Sequence, residues 1–166
     1  PMPPSYSGNS KADAHAMKLC IASDHRGVVL KERLKAFLRA EGLEPQDKGP
    51  SDQNPVDYPD YGSLVAQAVS QGSCDRGILI CSTGIGMSVV ANKFPGVRAA
   101  LCGDAATARQ CREHIDANVL VLAGSSVSDA AAREIVATWL RTPFEGGRHQ
   151  RRLDKIVTLE RKLCKP

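Results

Sequence analysis

The sequence predicts an α/β fold: a doubly wound five-stranded parallel sheet with a C-terminal helix. Three observations carry that reading. From Met17 onward, short β-rich runs alternate with amphipathic stretches, the pattern of a parallel sheet covered by helices on both faces. The runs are apolar at nearly every position rather than every second one, as strands buried on two sides are. The chain has 166 residues, 42% hydrophobic and 24% charged, which suits one folded domain of the usual ~100–200 residues.

Residues 1–16, rich in Pro, Ser, Gly and Asn without periodicity, are expected to form a disordered leader, leaving a single domain over 17–166. The first strand is Lys18 to Ser23 (KLCIAS), followed by a helix whose buried face carries Leu30, Leu34, Phe37 and Leu38. A weaker strand is expected near Leu43 to Asp47, closed by Gly49. Pro50 to Pro59 then reads as a loop into a second helix marked by Tyr61, Leu64, Val65, Ala68 and Val69. The third strand is Arg76 to Cys81 (RGILIC), and the helix after it runs from Ile85 to Lys93. Val97 to Cys102 (VRAALC) and Asn118 to Ala123 (NVLVLA) are the fourth and fifth strands. Ala132, Ile135, Val136, Trp139 and Leu140 mark another helix face, and Pro143 to Gly147 breaks the chain. Beyond it Leu153, Ile156, Val157 and Leu163 mark a last, highly charged helix that either projects or packs on a partner. The expected strand order is 2-1-3-4-5, one of the two common doubly wound solutions.

Composition removes several function classes. No apolar run approaches the roughly 18 residues that span a bilayer, and the first residues lack the apolar centre of a signal peptide. A cytoplasmic protein with no membrane partner is expected. The 22 basic and 18 acidic residues are interspersed, for a net charge of +4, so no electrostatic footprint for nucleic acid stands out. Six cysteines show neither a CxxC pair nor metal-type spacing, which reads as reduced thiols and no metal centre. Cys20, Cys102 and Cys111 fit core positions.

In an open α/β sheet the site lies beyond the carboxyl ends of the strands. The first strand runs into Asp24-His25-Arg26-Gly27, and the third into Ser82-Thr83-Gly84-Ile85-Gly86. Gly84 and Gly86 let backbone approach a ligand, and the helix that follows aims unpaired N–H groups at an anion. The spacing is not a Walker loop, because no Gly-Lys pair follows Gly84. It is not a cysteine-phosphatase loop either, because Met87 stands where an arginine is needed. A dinucleotide turn is weakened by Val89 at the third glycine position, although Asp104 follows Gly84 by 20 residues. Cys81, last in its strand and beside a helix N-terminus, is placed where a thiolate is favoured, but a buried strand cysteine is the simpler reading. Asp24 can be a plain helix cap, and His114 a plain C-terminal histidine. Arg148 and Arg152, one turn apart, suit a phosphate and solvent equally.

Taken together these segments match a family. SDHRG at 23–27, DYPDYG at 57–62, GILICSTGIGMS at 77–88, ANKFPGVRAAL at 91–101, HIDANV at 114–119 and FEGGRHQRR at 144–152 resemble the type B ribose-5-phosphate isomerases and their allose- and galactose-phosphate relatives. The resemblance covers the chain from Met17 to its end. It implies a flavodoxin-like, Rossmann-like fold, no cofactor, no metal, and a homodimer with shared active sites that can pair into a tetramer. The implied reaction converts an aldose phosphate to a ketose phosphate through an enediolate, as in the pentose phosphate pathway. Cys81 would be the base, Thr83 a relay between O1 and O2, and His114 with Asp24 the ring-opening pair. Backbone N–H groups of Ser82, Gly84, Ile85 and Gly86 would form the anion hole. His25, Arg148 and Arg152 would hold phosphate, and Tyr58, Asn92 and Asn118 would line the pocket. Two departures from the family pattern are Ser82, where Gly is common, and Ile115, where Asn is common; the second bears on substrate preference. The alternatives are a hexose 6-phosphate isomerase and, more remotely, a dinucleotide-dependent oxidoreductase or a flavodoxin-like binding module. Only 4% aromatic content argues against a stacked flavin.

Overall fold

A computed structural model describes residues 16–163. The leader expected before them, and Cys164, lie outside the described residues. In chain order the elements are β1 (Leu19–Ser23), α1 (Val28–Ala40), β2 (Gln46–Asp47), α2 (Tyr58–Ser70), β3 (Arg76–Cys81), α3 (Ile85–Ala91), β4 (Ala99–Leu101), α4 (Ala105–Ile115), β5 (Val119–Ala123), α5 (Asp129–Arg141) and α6 (Arg148–Leu163). All four strand pairings are parallel.

The period-2 alternation of each strand divides its apolar side chains between two cores. Leu19 and Ile21 of β1, Ile78 and Ile80 of β3, and Leu120 and Leu122 of β5 face α1, α4 and α5, where Leu34, Leu38, Ile135 and Trp139 complete the layer. Cys20, Ala22, Leu79, Cys81, Val119 and Val121 face α2 and α3, meeting Val65, Ala66, Met87 and Ala91. Helices therefore cover both faces, as the apolar strands require.

The order of the sheet is β2-β1-β3-β5-β4, so the expected 2-1-3-4-5 is corrected at its last two strands. The reason is burial. β5 (VLVLA) is buried at its first four positions and can sit between two neighbours. β4 has only three residues, none fully buried, with Leu101 38% exposed, and takes the edge.

At the other edge β2 buries neither of its two residues. Electrostatics hold it instead: the fully buried Lys31 places Nζ 2.8 Å from Asp47 Oδ1, and Lys35 Nζ lies 2.6 Å from Oδ2. Partial burial works to raise the Asp47 pKa, but hydrogen bonds from Lys31 and Lys35 prevail and hold it below the usual carboxylate range.

The cysteines depart from expectation in one place. Cys20 and Cys74 are joined in a disulfide with a Cα–Cα distance of 6.2 Å, not held as two reduced thiols. The β1–β3 register sets Cys20 opposite Gly77 and so brings Cys74, just ahead of β3, within reach. A separation of 54 residues gave no local hint of this. Cys81, Cys102 and Cys111 are free and buried. The Cys102 thiol, hydrogen-bonded to Cys111 and desolvated, is pushed upward and stays protonated. Among the described residues no helix is long and apolar enough to cross a membrane.

Candidate active site in two halves

One half lies at the carboxyl ends of β1 and β3. Cys81, 5% exposed, closes β3, and the chain reverses through Ser82 and Thr83 to Gly84, whose φ is 75°. That left-handed conformation costs an L-residue about 1–2 kcal/mol. A Cβ on Gly84 would also press on the Leu101 side chain, which would have to shift. The turn aims the Gly84 N–H at the Cys81 sulfur, 3.1 Å away. The Ile85 N–H donates to Thr83 Oγ1 at 3.3 Å. Two donors of the expected anion hole are thus committed within the loop, one of them to the sulfur itself. Gly86 is glycine for a different reason: the Tyr58 ring, 41% exposed, occupies the space a Cβ would need, 2.7 Å from its Cζ.

The β1–α1 loop stands beside this turn, tied to β3 by the Asp24 N–H donating to Ile80 O at 3.0 Å. Asp24 is buried, and its Oδ1 accepts the backbone N–H groups of Arg26 and Gly27 at 3.0 and 2.9 Å. His25 is held by the backbone of Val56, its Nδ1 lying 3.2 Å from Val56 N and 3.3 Å from Val56 O. His25 also lines an open groove of about 710 Å³ with Val56, Asp57, Asp60, Tyr61 and Leu64.

The other half lies at the amino ends of the strands. α4 starts at Asp104, whose carboxylate accepts the Thr107 N–H at 2.7 Å, and runs antiparallel to the sheet, so His114 sits at its far end. Arg98 fixes that end by donating to Ile115 O at 2.9 Å and Asp116 O at 3.0 Å. The chain returns after α5 with the Glu145 N–H on Glu113 O, turns at Gly146-Gly147, and starts α6 against His114. The His114 and His149 rings stack with centroids 4.3 Å apart and 12° between planes. Arg148 and Arg152 flank His149, both exposed.

Asn92 and Asn118 hold backbone. Asn92 accepts the Ala99 N–H at 2.9 Å and donates to Ala99 O, while Asn118 accepts the Arg98 N–H at 2.8 Å and donates to Gly96 O. They pin the short edge strand β4.

The structure thus brings Asp24, His25, Tyr58, Cys81 and residues 82–86 together, and separately gathers His114, Arg148 and Arg152. It does not bring the two groups to each other. β5 has five residues, ~16 Å of strand, and α4 has 11, ~16 Å of helix; either length separates the two ends within one chain.

Sequence reasoning overlooked His149 and Glu145. His149 is 4% exposed, and its Nε2 has no hydrogen-bond partner although Glu145 Oε2 lies 3.2 Å away. Burial, then the neighbouring His114 and Arg148, push its pKa below the ordinary histidine value. The signal was present: His114 and the GRHQRR run are both polar, and only their pairing was invisible. His114, Glu145 and His149 place ligand-type atoms within 4.8 Å of one another. Parallel stacked rings cannot both direct in-plane lone pairs at one ion about 2.1 Å from each, so the cluster does not fit a metal.

Comparison with known proteins finds relatives that span nearly the whole described chain. The ribose/galactose isomerase family matches residues 19–156. The ribose-5-phosphate isomerase B of Escherichia coli (strain K12) is 43% identical over 145 residues, covering 87% of this chain and 97% of its own. A solved Clostridium thermocellum ribose-5-phosphate isomerase B superposes with TM-score 0.87 at 50% identity, covering 89% of this chain and 99% of the other. The Mycoplasma genitalium ribose-5-phosphate isomerase B, solved with bound ribulose-5-phosphate, gives TM-score 0.85 at 44% identity, covering 89% and 98%.

Proposed function

The chain belongs to the ribose/galactose isomerase family, and we propose that it interconverts ribose 5-phosphate and ribulose 5-phosphate through an enediolate, with Cys81 as the base. The observation that carries the residue assignment is the β3–α3 turn: a buried cysteine at the end of the central strand, accepting the Gly84 N–H on its sulfur beside the Thr83 hydroxyl. A sulfur held as an acceptor can receive a carbon-bound proton.

The steps follow from the chemistry. His114 protonates the furanose ring oxygen while Asp24 takes the proton of the C1 hydroxyl, opening the ring to the aldehyde. The Cys81 thiolate removes the C2 proton, and the electron pair moves through C1 to O1. Backbone N–H groups of residues 82–86 stabilise that oxygen; a donor so placed contributes about 3 kcal/mol. Those of Gly84 and Ile85 turn from Sγ and Thr83 Oγ1 toward the substrate as charge leaves the sulfur. Thr83 carries the proton from O2 to O1, and the Cys81 thiol returns its proton to C1, leaving a carbonyl at C2. His25, Arg148 and Arg152 hold the phosphate, and Tyr58 covers the turn. Asn92 and Asn118 line the pocket while their amides hold the backbone beside β4.

Because His114 and the arginines lie an element's length from Cys81, the working unit is a homodimer in which the carboxyl-end half of one chain meets the amino-end half of its partner. Ile85 and Val89, 61% and 56% exposed on one face of α3, and Ile156, Leu159 and Leu163 on α6 supply apolar surface for a second copy. The compartment is the cytoplasm, where charged sugar phosphates are retained; this outweighs the Cys20–Cys74 disulfide, a bond rare there.

Coupled turnover of ribose 5-phosphate beside allose 6-phosphate tests the reading. The pentose should win in kcat/KM. A clear preference for the hexose would move the assignment to a hexose phosphate, with the exposed Ile115 beside His114 the first residue to examine. No turnover of either would contradict it.

A further inference from the structure

His149 is unused in these steps, yet it is the most enclosed polar side chain of the amino-end half, and its Nε2 makes no hydrogen bond, with the Glu145 carboxylate 3.2 Å away. Such a group is retained at a cost unless its shape or position is needed. Its ring lies flat on His114, the group assigned above to ring opening. The terminal torsion of a histidine is broad, so an unsupported imidazole at a helix end samples many planes. We propose that His149 is a positioning residue for ring opening, a buried flat platform that fixes the plane of the His114 imidazole so that its acidic nitrogen meets the furanose oxygen.

Three features support this. His149 is anchored independently of His114, by its place in the first turn of α6, where its N–H donates to Gly146 O at 3.0 Å. The His114 end of α4 is itself held by Arg98, so the stack joins two fixed backbones. Burial and the nearby cations lower the His149 pKa against the pull of Glu145, which favours an uncharged platform, and a neutral ring does not repel a cationic neighbour. Arg148 and Arg152 on the same helix remain free to bind phosphate.

The proposal rests on His114 as the ring-opening group, and the test separates the two. Ribose 5-phosphate is cyclic. A four-carbon aldose 4-phosphate cannot close a furanose because its terminal oxygen carries the phosphate. The reverse reaction is no substitute, since equilibrium ties the two kcat/KM values together. Three variants of the intact dimer, His149→Ala, His149→Phe and His114→Asn, are assayed on both aldoses. His149→Ala is expected to lower kcat on ribose 5-phosphate by about tenfold to a hundredfold, the usual cost of misplacing a reacting group. KM on ribose 5-phosphate and turnover of the four-carbon aldose should stay unchanged, and His149→Phe, which keeps a flat ring, should restore most of the rate. A change confined to KM would mean that α6 and its arginines have shifted, and would overturn the proposal. So would equal losses on both substrates, a His149→Phe as slow as His149→Ala, or no loss at all. If His114→Asn slows both aldoses equally, the ring-opening assignment fails first. If His114→Asn discriminates and His149→Ala does not, the platform alone fails. Should His149→Ala not fold, His149→Leu fills the space without a flat ring and is read the same way.

Discussion

The carboxyl-end and amino-end halves of the site are built by different means. At the carboxyl end the geometry is made by backbone over a few residues: Gly84 N–H meets Cys81 Sγ three positions back, and Asp24 accepts N–H groups two and three positions ahead. At the amino end it is made by side chains brought from distant segments, His114 on α4 and His149 on α6, with two arginines on one helical turn. A half that folds as a local turn presents a reactive atom in a fixed frame. A half assembled from helix ends depends on how distant helices pack, and in the proposed homodimer it would offer charge and a proton donor to the partner chain.

The comparison can be broken or sharpened by perturbing each half. The largest effect is expected at the sulfur: Cys81→Ala should lower kcat at least ~1,000-fold, within the range general-base groups contribute, and leave thermal unfolding nearly unchanged. Stopped turnover with an intact melting curve is the signature. At the amino end Arg148→Ala and Arg152→Ala should each raise KM about tenfold to a hundredfold, from charge-assisted bonds of roughly 1.5–3 kcal/mol, with a smaller change in kcat. Steady-state kinetics at fixed ionic strength decides this.

Gly84→Ala tests whether the carboxyl half is made by backbone. A left-handed conformation for an L-residue costs about 1–2 kcal/mol, and the methyl group also meets Leu101, so the urea midpoint and the activity should fall together. The smallest effect is electrostatic. The folded-state pKa of His149 lies below its unfolded value, so as pH falls through about 6.5 the unfolded chain gains a proton that the folded chain refuses, and stability declines until the folded pKa is reached. His149→Phe should flatten that part of the stability profile. Asp47 and Asp104, whose pKa values are lowered, should lose their contributions only at more acidic pH. Urea midpoints measured across the histidine range would show the difference.

The same contrast explains what the sequence disclosed. The run RGILIC marks β3 at both its ends because five apolar or near-apolar residues between Arg76 and a glycine turn leave little choice. β4 and β5 were each visible as strands, but their order depends on which one two neighbours can cover, and that follows from the short, half-exposed AAL beside the buried VLVL. The Cys20–Cys74 bond and the His114–His149 stack depend on register and on the path of the chain after α5, which no local pattern encodes. Arg148 and Arg152 are legible as a pair because one helical turn relates them; His149, on the same turn, is not, because its partner is on another helix.

The central claim is that one active site needs two chains. Mixing Cys81→Ala protein with His114→Asn protein and isolating verified heterodimers tests it most directly. Each parent should be nearly inactive on ribose 5-phosphate. In a two-fold dimer with shared sites, one of the two sites of the heterodimer regains both an intact Cys81 and an intact His114, so about half the wild-type rate per dimer should return. Heterodimers that stay as inactive as their parents, or a fully active monomer in the ultracentrifuge, would contradict the shared site.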